Sequence, residues 1–400
     1  MAQLHTSAQK ISNLTRTGIV CALALSTLAL VGCKDKSGGA ASSSTEIKVG
    51  EYASLTGDTA TFGQSTHLGI QLAIDEAKSA GGVNGKTITL VTEDDASKPD
   101  QAQSVVTKLI TQDKVVAVLG EVASTRSMRG GAVCQQNMIP MISPSSTNPR
   151  VTQVGNYVFR VCFTDDFQGA VDAKFAHDQG YKKVAVFKDL KSDYSVGFSD
   201  VFAKEFTKLG GAITKVQSYQ SGDTDFKAQL NSLKAGNPDA VLVPGYYTEM
   251  GTIARQAKDV GLNVPLLGGD GWDSPELVPG AGDALEGSFF ADHYFSTELK
   301  DPATVSFIAA FKAKNGKDPD ALAALGYDTA KVLIDAIKRA KTIDGAGIRD
   351  AIAATKDFPG VTGKISIDAN RNARKSALVF QIKGKEFKVF KTYTPEQVGQ

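Results

Sequence analysis

The sequence predicts an α/β protein of two doubly wound lobes, each a mostly parallel sheet with helices on both faces. Three observations carry this. Strand-length apolar runs alternate with helical periodicities from residue 46 onward, and the alternation restarts near residue 183. Val115–Leu119 is apolar at every position, as a strand covered on both faces must be. Such alternation calls for parallel sheets joined by helical crossovers, and two runs of it call for two lobes. A chain of 400 residues is long enough to bury both cores.

Taken in order, Glu46–Tyr52 reads as a strand, and Leu68, Leu72 and Ile74 to Ala77 mark a helix. Lys86–Thr92 is a strand with Ile88 and Leu90 on one face. Ala102, Val105, Val106, Leu109 and Ile110 follow the i, i+3, i+4, i+7, i+8 spacing of an amphipathic helix. After the buried strand 115–119 come another helix and the short strand Pro140–Ser143. The second run places strands at Val184–Phe187, Ile213–Tyr219, Ala240–Val243 and Val264–Leu267. Its helices are marked by Phe198, Phe202, Phe206 and Leu209, by Phe226, Leu230 and Leu233, and by Met250, Ile253 and Ala257. A long helix follows at about 320–340, with Leu322, Leu325, Val332, Leu333, Ala336 and Ile337 on its apolar side. Ile365–Ile367, Ala377–Ile382 and Phe387–Lys391 read as antiparallel β structure.

The N-terminus has a different character. Lys10 and Arg16 precede an apolar run from Gly18 to Val31, followed by Cys33 and the polar stretch KDKSGGAASSST. This is the pattern of a secretory signal in residues 1–32. The run is short of the roughly 20 residues a membrane-spanning helix needs. Leu30-Val31-Gly32-Cys33 resembles a bacterial lipobox. That resemblance implies cleavage before Cys33 and diacylation of its sulfur, a stable two-chain membrane anchor. Residues 33–45 then form the lipidated cysteine and a flexible tether. Of the other cysteines, Cys21 falls in the signal. Cys134 and Cys162 suit either a disulfide, which an export compartment permits, or two small buried residues. The second reading is preferred because sequence supplies no pairing geometry.

The formal net charge is +1, too balanced for a nucleic-acid partner, which needs a concentrated basic face. Enzyme signatures are missing as well. The sequence holds no G-x-S-x-G, the four histidines are scattered, and no Cys/His spacing suits zinc. Asp94-Asp95 could be an acid/base pair, but reads better as a loop and helix N-terminus. Ala80–Thr87 resembles a phosphate loop but follows a helix and leads into a strand, the reverse of what that motif requires. No cofactor or metal is expected.

Ligands of open α/β sheets bind beyond the carboxyl ends of strands, so two facing lobes place a site between them. Two hydroxyl-rich loops stand there. Gly120–Thr125 carries Ser124 and Thr125 and opens a helix; Ser143–Thr147 carries Ser145, Ser146 and Thr147. Helix N-terminal amides with added hydroxyls suit a carboxylate, although Ser and Thr also simply cap helices. Asp270, between glycines after the strand at 264–267, could counter an ammonium, with Trp272 as a wall. The alternative for this segment is an ordinary Asp/Gly turn. Tyr194, Tyr246 and Tyr247 lie just past strand or loop positions, where packing is the simpler role.

At these residues the chain resembles the leucine/isoleucine/valine-binding protein family, the type I (Venus-flytrap) solute receptors of branched-chain amino acid ABC importers. The resemblance covers about residues 46–400. It is carried by Gly81–Asp95, Gly120–Ser127, Pro140–Pro149, Phe159–Gly169, Gly245–Ala257 and Gly268–Gly271. It implies a monomeric, extracytoplasmic receptor, not an enzyme, that hands a small zwitterionic amino acid to ABC permease subunits in the membrane. It implies crossovers near 163, 292 and 365, with lobe 1 formed by 46–163 plus 292–365 and lobe 2 by 164–291 plus 366–400. It assigns Ser124 to the ligand carboxylate, Ser145 and Thr147 to carboxylate and ammonium, Tyr194 and Tyr246 to the cleft, and Asp270 to the ammonium. Phe62 falls where an aromatic contacts the ligand side chain. There are departures. The branched-chain receptors have Glu where Asp270 stands, a smaller residue at Trp272, and cysteines near Ser97 and Ala123. The head-group site therefore looks kept, and the side-chain pocket is less secure. A same-fold receptor for an amide, urea or aromatic acid, serving a sensor or another importer, is the alternative.

Overall fold

The computed structural model describes residues 45–294 and 301–399. The segment read as an export signal, Cys33 and nearly all of the tether lie outside the described residues.

The apolar runs become strands and the 3.6-residue periodicities become helices. The first lobe's sheet is built by β1 (Glu46–Ala53), α1 (Ala60–Ser79), β2 (Thr87–Asp94), α2 (Pro99–Thr111), β3 (Ala117–Leu119), α3 (Ser124–Gln136), β4 (Met141–Ser143), α4 (Arg150–Gln153) and β5 (Val158–Arg160). Its strand order is β2-β1-β3-β4-β5, parallel throughout. Alternate residues along β3 feed opposite cores. Val118 packs with Val105 and Leu109 of α2, while Ala117 and Leu119 join Ile47, Val49 and Phe159 on the other face.

The second lobe continues with α5 (Asp165–Asp178), β6 (Lys183–Asp189), α6 (Asp193–Lys208), β7 (Ala212–Tyr219), α7 (Lys227–Lys234), β8 (Ala240–Leu242), α8 (Tyr247–Asp259), β9 (Leu266–Gly268), α9 (Leu277–Ala281) and β10 (Phe289–Asp292). The chain then supplies α10 (Pro302–Asn315), α11 (Ala321–Arg339) and α12 (Gly345–Ala353), which share the first lobe's core. A small hairpin, β11 (Phe358–Gly360) and β12 (Gly363–Ile365), precedes β13 (Ala377–Lys383) and β14 (Glu386–Tyr393). The second sheet runs β14-β13-β10-β9-β8-β6-β7, parallel from β10 to β7 and antiparallel at β13 and β14. The two-residue turn of that last hairpin, Gly384-Lys385, has φ of 61° and 65°, matching the twist of the strands it joins.

The long helix α11 starts where Asp320 accepts a hydrogen bond from the Ala323 amide and ends on Lys338 and Arg339, charges that suit its two poles. It lies against α1 at very short range. A Cβ at Gly69 would fall 1.9 Å from the Ala323 carbonyl oxygen, and one at Gly326 would fall 2.4 Å from that of Thr66. Only glycine permits this approach, which holds the N-terminus of α11 at the edge of the first lobe.

Some local expectations shift. Ile365 ends β12, and Ile367 makes only an isolated bridge with Ala373, so 365–367 is not one strand. Asp94 and Asp95 do not open α2, whose cap is Lys98. Asp94 instead accepts from the amides of Leu55 and Thr56, and Asp95 is buried beside Ser54 and Arg126. Cys134 and Cys162 are free thiols buried in different clusters of the first lobe.

Candidate binding site

In each sheet the strand order reverses beside one strand, β1 in the first and β6 in the second. Loops leaving such a point splay apart and leave a crevice. The two crevices face each other across a cavity lined by Phe62, Val122, Ser124, Ser145, Thr147, Tyr194, Tyr246, Asp270, Gly271 and Leu322. Eight of them lie just past the carboxyl ends of β3, β4, β6, β8 or β9; Phe62 belongs to the first turn of α1, the helix after β1, and Leu322 to the first turn of α11. Only about 10 Å³ of the cavity can take a water centre. That is room for roughly one water. A larger cleft, with about 780 Å³ open to water centres, opens where the chain crosses between sheets and is lined by residues such as Pro149, Lys204 and Arg371. It lies away from the strand ends and gathers neither the hydroxyl loops nor Asp270.

The polar end of the small cavity is built from backbone. Ser124 is the first residue of α3, so its hydroxyl and the helix's unpaired first amides share one spot. The 145–149 loop is held by Arg160, fully buried, which donates to the carbonyls of Ser146 at 2.5 Å and Asn148 at 2.7 Å. Ser146 itself is turned away from the cavity. Its hydroxyl lies 2.9 Å from the Glu121 carbonyl, 2.8 Å from that of Val122 and 2.6 Å from Ser127 Oγ, clasping the two hydroxyl loops together. Thr125 also points elsewhere. It donates to Asp193 Oδ2 at 3.0 Å and receives the Asp193 amide at 3.1 Å, joining α3 of one lobe to α6 of the other. Arg150 adds an ion pair to Asp193 Oδ1 at 2.8 Å.

Asp270 is 7% exposed and held on both oxygens. Gln168 Nε2 donates to Oδ1 at 3.0 Å, and His293 Nε2 lies 3.1 Å from Oδ2, with Ser145 Oγ at 3.4 Å. The surrounding acids are held protonated. Burial and the Asp270 charge push Asp165 up to about 8 and raise Asp172 far above the usual carboxylate range. Burial and Asp320 push Asp273 up to about 8.

The apolar end is aromatic. Tyr194 and Tyr246 stack with ring centres 5.3 Å apart, and Phe62 meets Tyr246 edge-on at 5.6 Å. Tyr194 accepts the Gly271 amide at 3.2 Å, and burial raises both tyrosines far above their ordinary range, so they stay neutral. Trp272 is not a wall. Its indole is fully buried beneath the loop, donates to the Val243 carbonyl at 3.1 Å and covers Gly268, where a Cβ would fall 2.2 Å from the ring.

Seven of the ten residues expected at the site thus line the cavity; Thr125, Ser146 and Trp272 do not, and instead hold the surrounding loops in place. Val122, Gly271 and Leu322 line it without having been expected there. Leu322 was legible as an apolar helix residue, but nothing local marks its distance from Phe62.

The periplasmic binding protein family model matches residues 46–386. A Leu/Ile/Val-binding protein homolog of Brucella abortus is 35% identical over 327 residues, 81% of this chain and 86% of its own length. The crystal structure of the leucine-binding protein LivK of Thermotoga maritima superposes with a TM-score of 0.83 at 40% identity, covering 88% of this chain and 99% of its own. The structure of LivJ from Streptococcus pneumoniae in complex with isoleucine superposes with a TM-score of 0.82 at 35% identity, covering 88% and 100%.

Proposed function

The chain belongs to the periplasmic binding protein family, and we propose that it captures an aliphatic, branched-chain amino acid in the interlobe cavity and delivers it to an ABC importer. One observation carries the reading: a single cavity joins a helix N-terminus with hydroxyls, one buried carboxylate and an apolar aromatic lining. A zwitterion needs these three parts. Moving its carboxylate and ammonium out of water is costly unless each is paired. In this reading the ligand carboxylate takes the first amides of α3 with Ser124, Ser145 and Thr147. Its ammonium faces Asp270. Its side chain lies against Phe62, Val122, Tyr246 and Leu322, where a leucine-sized group contributes about 1.5–3 kcal/mol. No nucleophile or metal takes part.

A cavity with room for about one water requires the lobes to part before a ligand enters and to close over it. The Asp193 contacts with Thr125 and Arg150 are then part of the closed state. The closed form is what permease subunits receive, from a monomer anchored outside the cytoplasm by lipid on Cys33. The ligands in those relatives' names, leucine, isoleucine and valine, suit the lining.

The test is a calorimetric series on the mature domain across glycine, alanine, valine, leucine, isoleucine, phenylalanine, aspartate and lysine. Leucine, isoleucine or valine should bind at least tenfold more tightly than glycine, since each buried methylene is worth about 0.8 kcal/mol. Aspartate and lysine should bind poorly. A peak at a charged amino acid defeats the aliphatic assignment. Binding of none of them turns the reading toward an amide, urea or aromatic acid.

A further inference from the structure

His293 stands one residue past β10, where the chain leaves the second sheet. It is 5% exposed, and its ring stacks on Phe163, near the crossover after β5, with centres 3.6 Å apart and planes 25° apart. Its backbone amide donates to Asp292 Oδ1 at 2.7 Å. Its Nε2 meets Asp270 Oδ2 at 3.1 Å, while its Nδ1 is buried without a hydrogen-bond partner among the described residues. A proton on Nδ1 would have nothing to bond, whereas a proton on Nε2 points at a carboxylate. The hydrogen-bond network therefore assigns the neutral Nε2–H tautomer.

The choice of a neutral donor matters. Asp270 is fixed by Gln168 and His293, and no Lys or Arg pairs with it among the described residues. A permanent cation here would hold the carboxylate equally well but would also neutralise it, leaving little attraction for a ligand ammonium. A neutral imidazole and a neutral amide orient the carboxylate and leave its charge unspent.

From this geometry we infer that His293 is a positioning residue for ligand capture, aiming Asp270 into the cavity only while its imidazole is uncharged. This rests on the amino-acid reading of the cavity. Protonation would convert the donor into a cation beside Asp270, and the incoming ammonium would meet a like charge. Binding would then expel that proton, so affinity falls as the imidazole titrates. The titratable groups facing the ring are Asp270 from the loop after β9, Asp292 at the end of β10 and Lys375 from the segment before β13; Asp165 of α5 reaches Asp270 through Gln168. Burial, with Lys375 beyond it, pushes the imidazole down, and Asp270 pulls it up less strongly; the net direction is below the ordinary histidine value. Asp292 is held protonated by burial and by Asp273. At neutral pH the ring is therefore uncharged and donating.

The experiment has two arms. In the first, leucine is titrated into the full mature protein by calorimetry from pH 4.5 to 8, using wild type, His293→Gln and His293→Phe. Wild type should hold its affinity near neutrality and lose up to about tenfold per pH unit below the imidazole titration. His293→Gln, a donor that cannot charge, should bind within about fivefold of wild type at pH 7 and lose the acid-side fall. His293→Phe should lose about tenfold or more at pH 7. An unchanged acid-side fall in His293→Gln overturns the inference, as does equal binding by all three at pH 7. The second arm needs no ligand. Nitrogen NMR of the imidazole should report the neutral Nε2–H tautomer at pH 7, and Asp270→Asn should lower its titration point. A charged ring, an Nδ1–H tautomer or an unmoved titration overturns the inference. If wild type binds no amino acid at any pH, the reading of the cavity fails while the second arm still judges the contact.

Discussion

Replacing Asp270 with asparagine is the sharpest perturbation, because size is kept and one charge is removed. In the proposed complex the ammonium would be left buried without its partner, which costs about 3–5 kcal/mol. At 1.4 kcal/mol per decade, that is a loss of a hundredfold to a few thousandfold in affinity. The ligand-free protein should respond differently, since two effects oppose each other there. Gln168 and His293 donate to different oxygens of the carboxylate, and an amide keeps an oxygen at only one of those two positions. The misplaced donor costs about 1–3 kcal/mol. Against this, the carboxylate is itself a buried charge with no Lys or Arg beside it among the described residues, so replacing it with a neutral amide removes a desolvation cost. The melting temperature without ligand should therefore move by only a few degrees. Saturating leucine, which stabilises wild type by mass action, should lose about 3–5 kcal/mol of that stabilisation in the variant. Calorimetry and thermal melts with and without leucine read both quantities. A folded Asp270→Asn protein that binds leucine within fivefold of wild type would refute the ammonium assignment.

Other perturbations test other parts of the reading. Asp193→Ala removes the ion pair to Arg150 and the bond from Thr125 without touching the cavity, so it should weaken amino-acid binding about five- to twentyfold by lowering the closed fraction. Small-angle scattering should then show a more extended liganded form, and an unchanged profile with unchanged affinity would remove Asp193 from closure. Asp165 and Asp273, both pushed up to about 8, hold protons that the unfolded chain gives up near pH 4. The native state binds more protons across that window, so ligand-free stability should fall as pH rises from about 4 to 8. Denaturant melts of Asp165→Asn should show a shallower fall, and an identical slope would mean that Asp165 is not a source of it. Cys33→Ser should release the mature domain into the soluble extracytoplasmic fraction, and retention on membranes after a salt wash would rule out the lipid anchor.

The sequence by itself determined the parts of this protein that repeat within a few residues. Ala102, Val105, Val106, Leu109 and Ile110 are the buried face of α2, as their spacing requires, and β3 is buried at every position. The two alternating runs became two sheets because helical and extended periods are local properties of the chain. Three-residue strands such as β3 and β8 were legible as continuous apolar runs, whereas β5 and β10, each ending on a charged residue, Arg160 or Asp292, were not, and only their neighbours in the sheet make them strands. The site divides in the same way. That Ser124, Ser145, Thr147 and Asp270 follow strand ends was legible, since turn chemistry is local. Which neighbour faces the cavity was not. Thr125 is one residue beyond Ser124 on a helix, turned about 100° away toward Asp193. Trp272 is two residues beyond Asp270 in a tight 3₁₀ turn that carries its indole into the core. Leu322 reaches the cavity because Gly69 and Gly326 let α11 press onto α1. His293 and Gln168 reach Asp270 from 23 and 102 residues away along the chain. Contacts at that separation have no period to announce them; they exist only once two sheets and their crossovers have closed around a shared core.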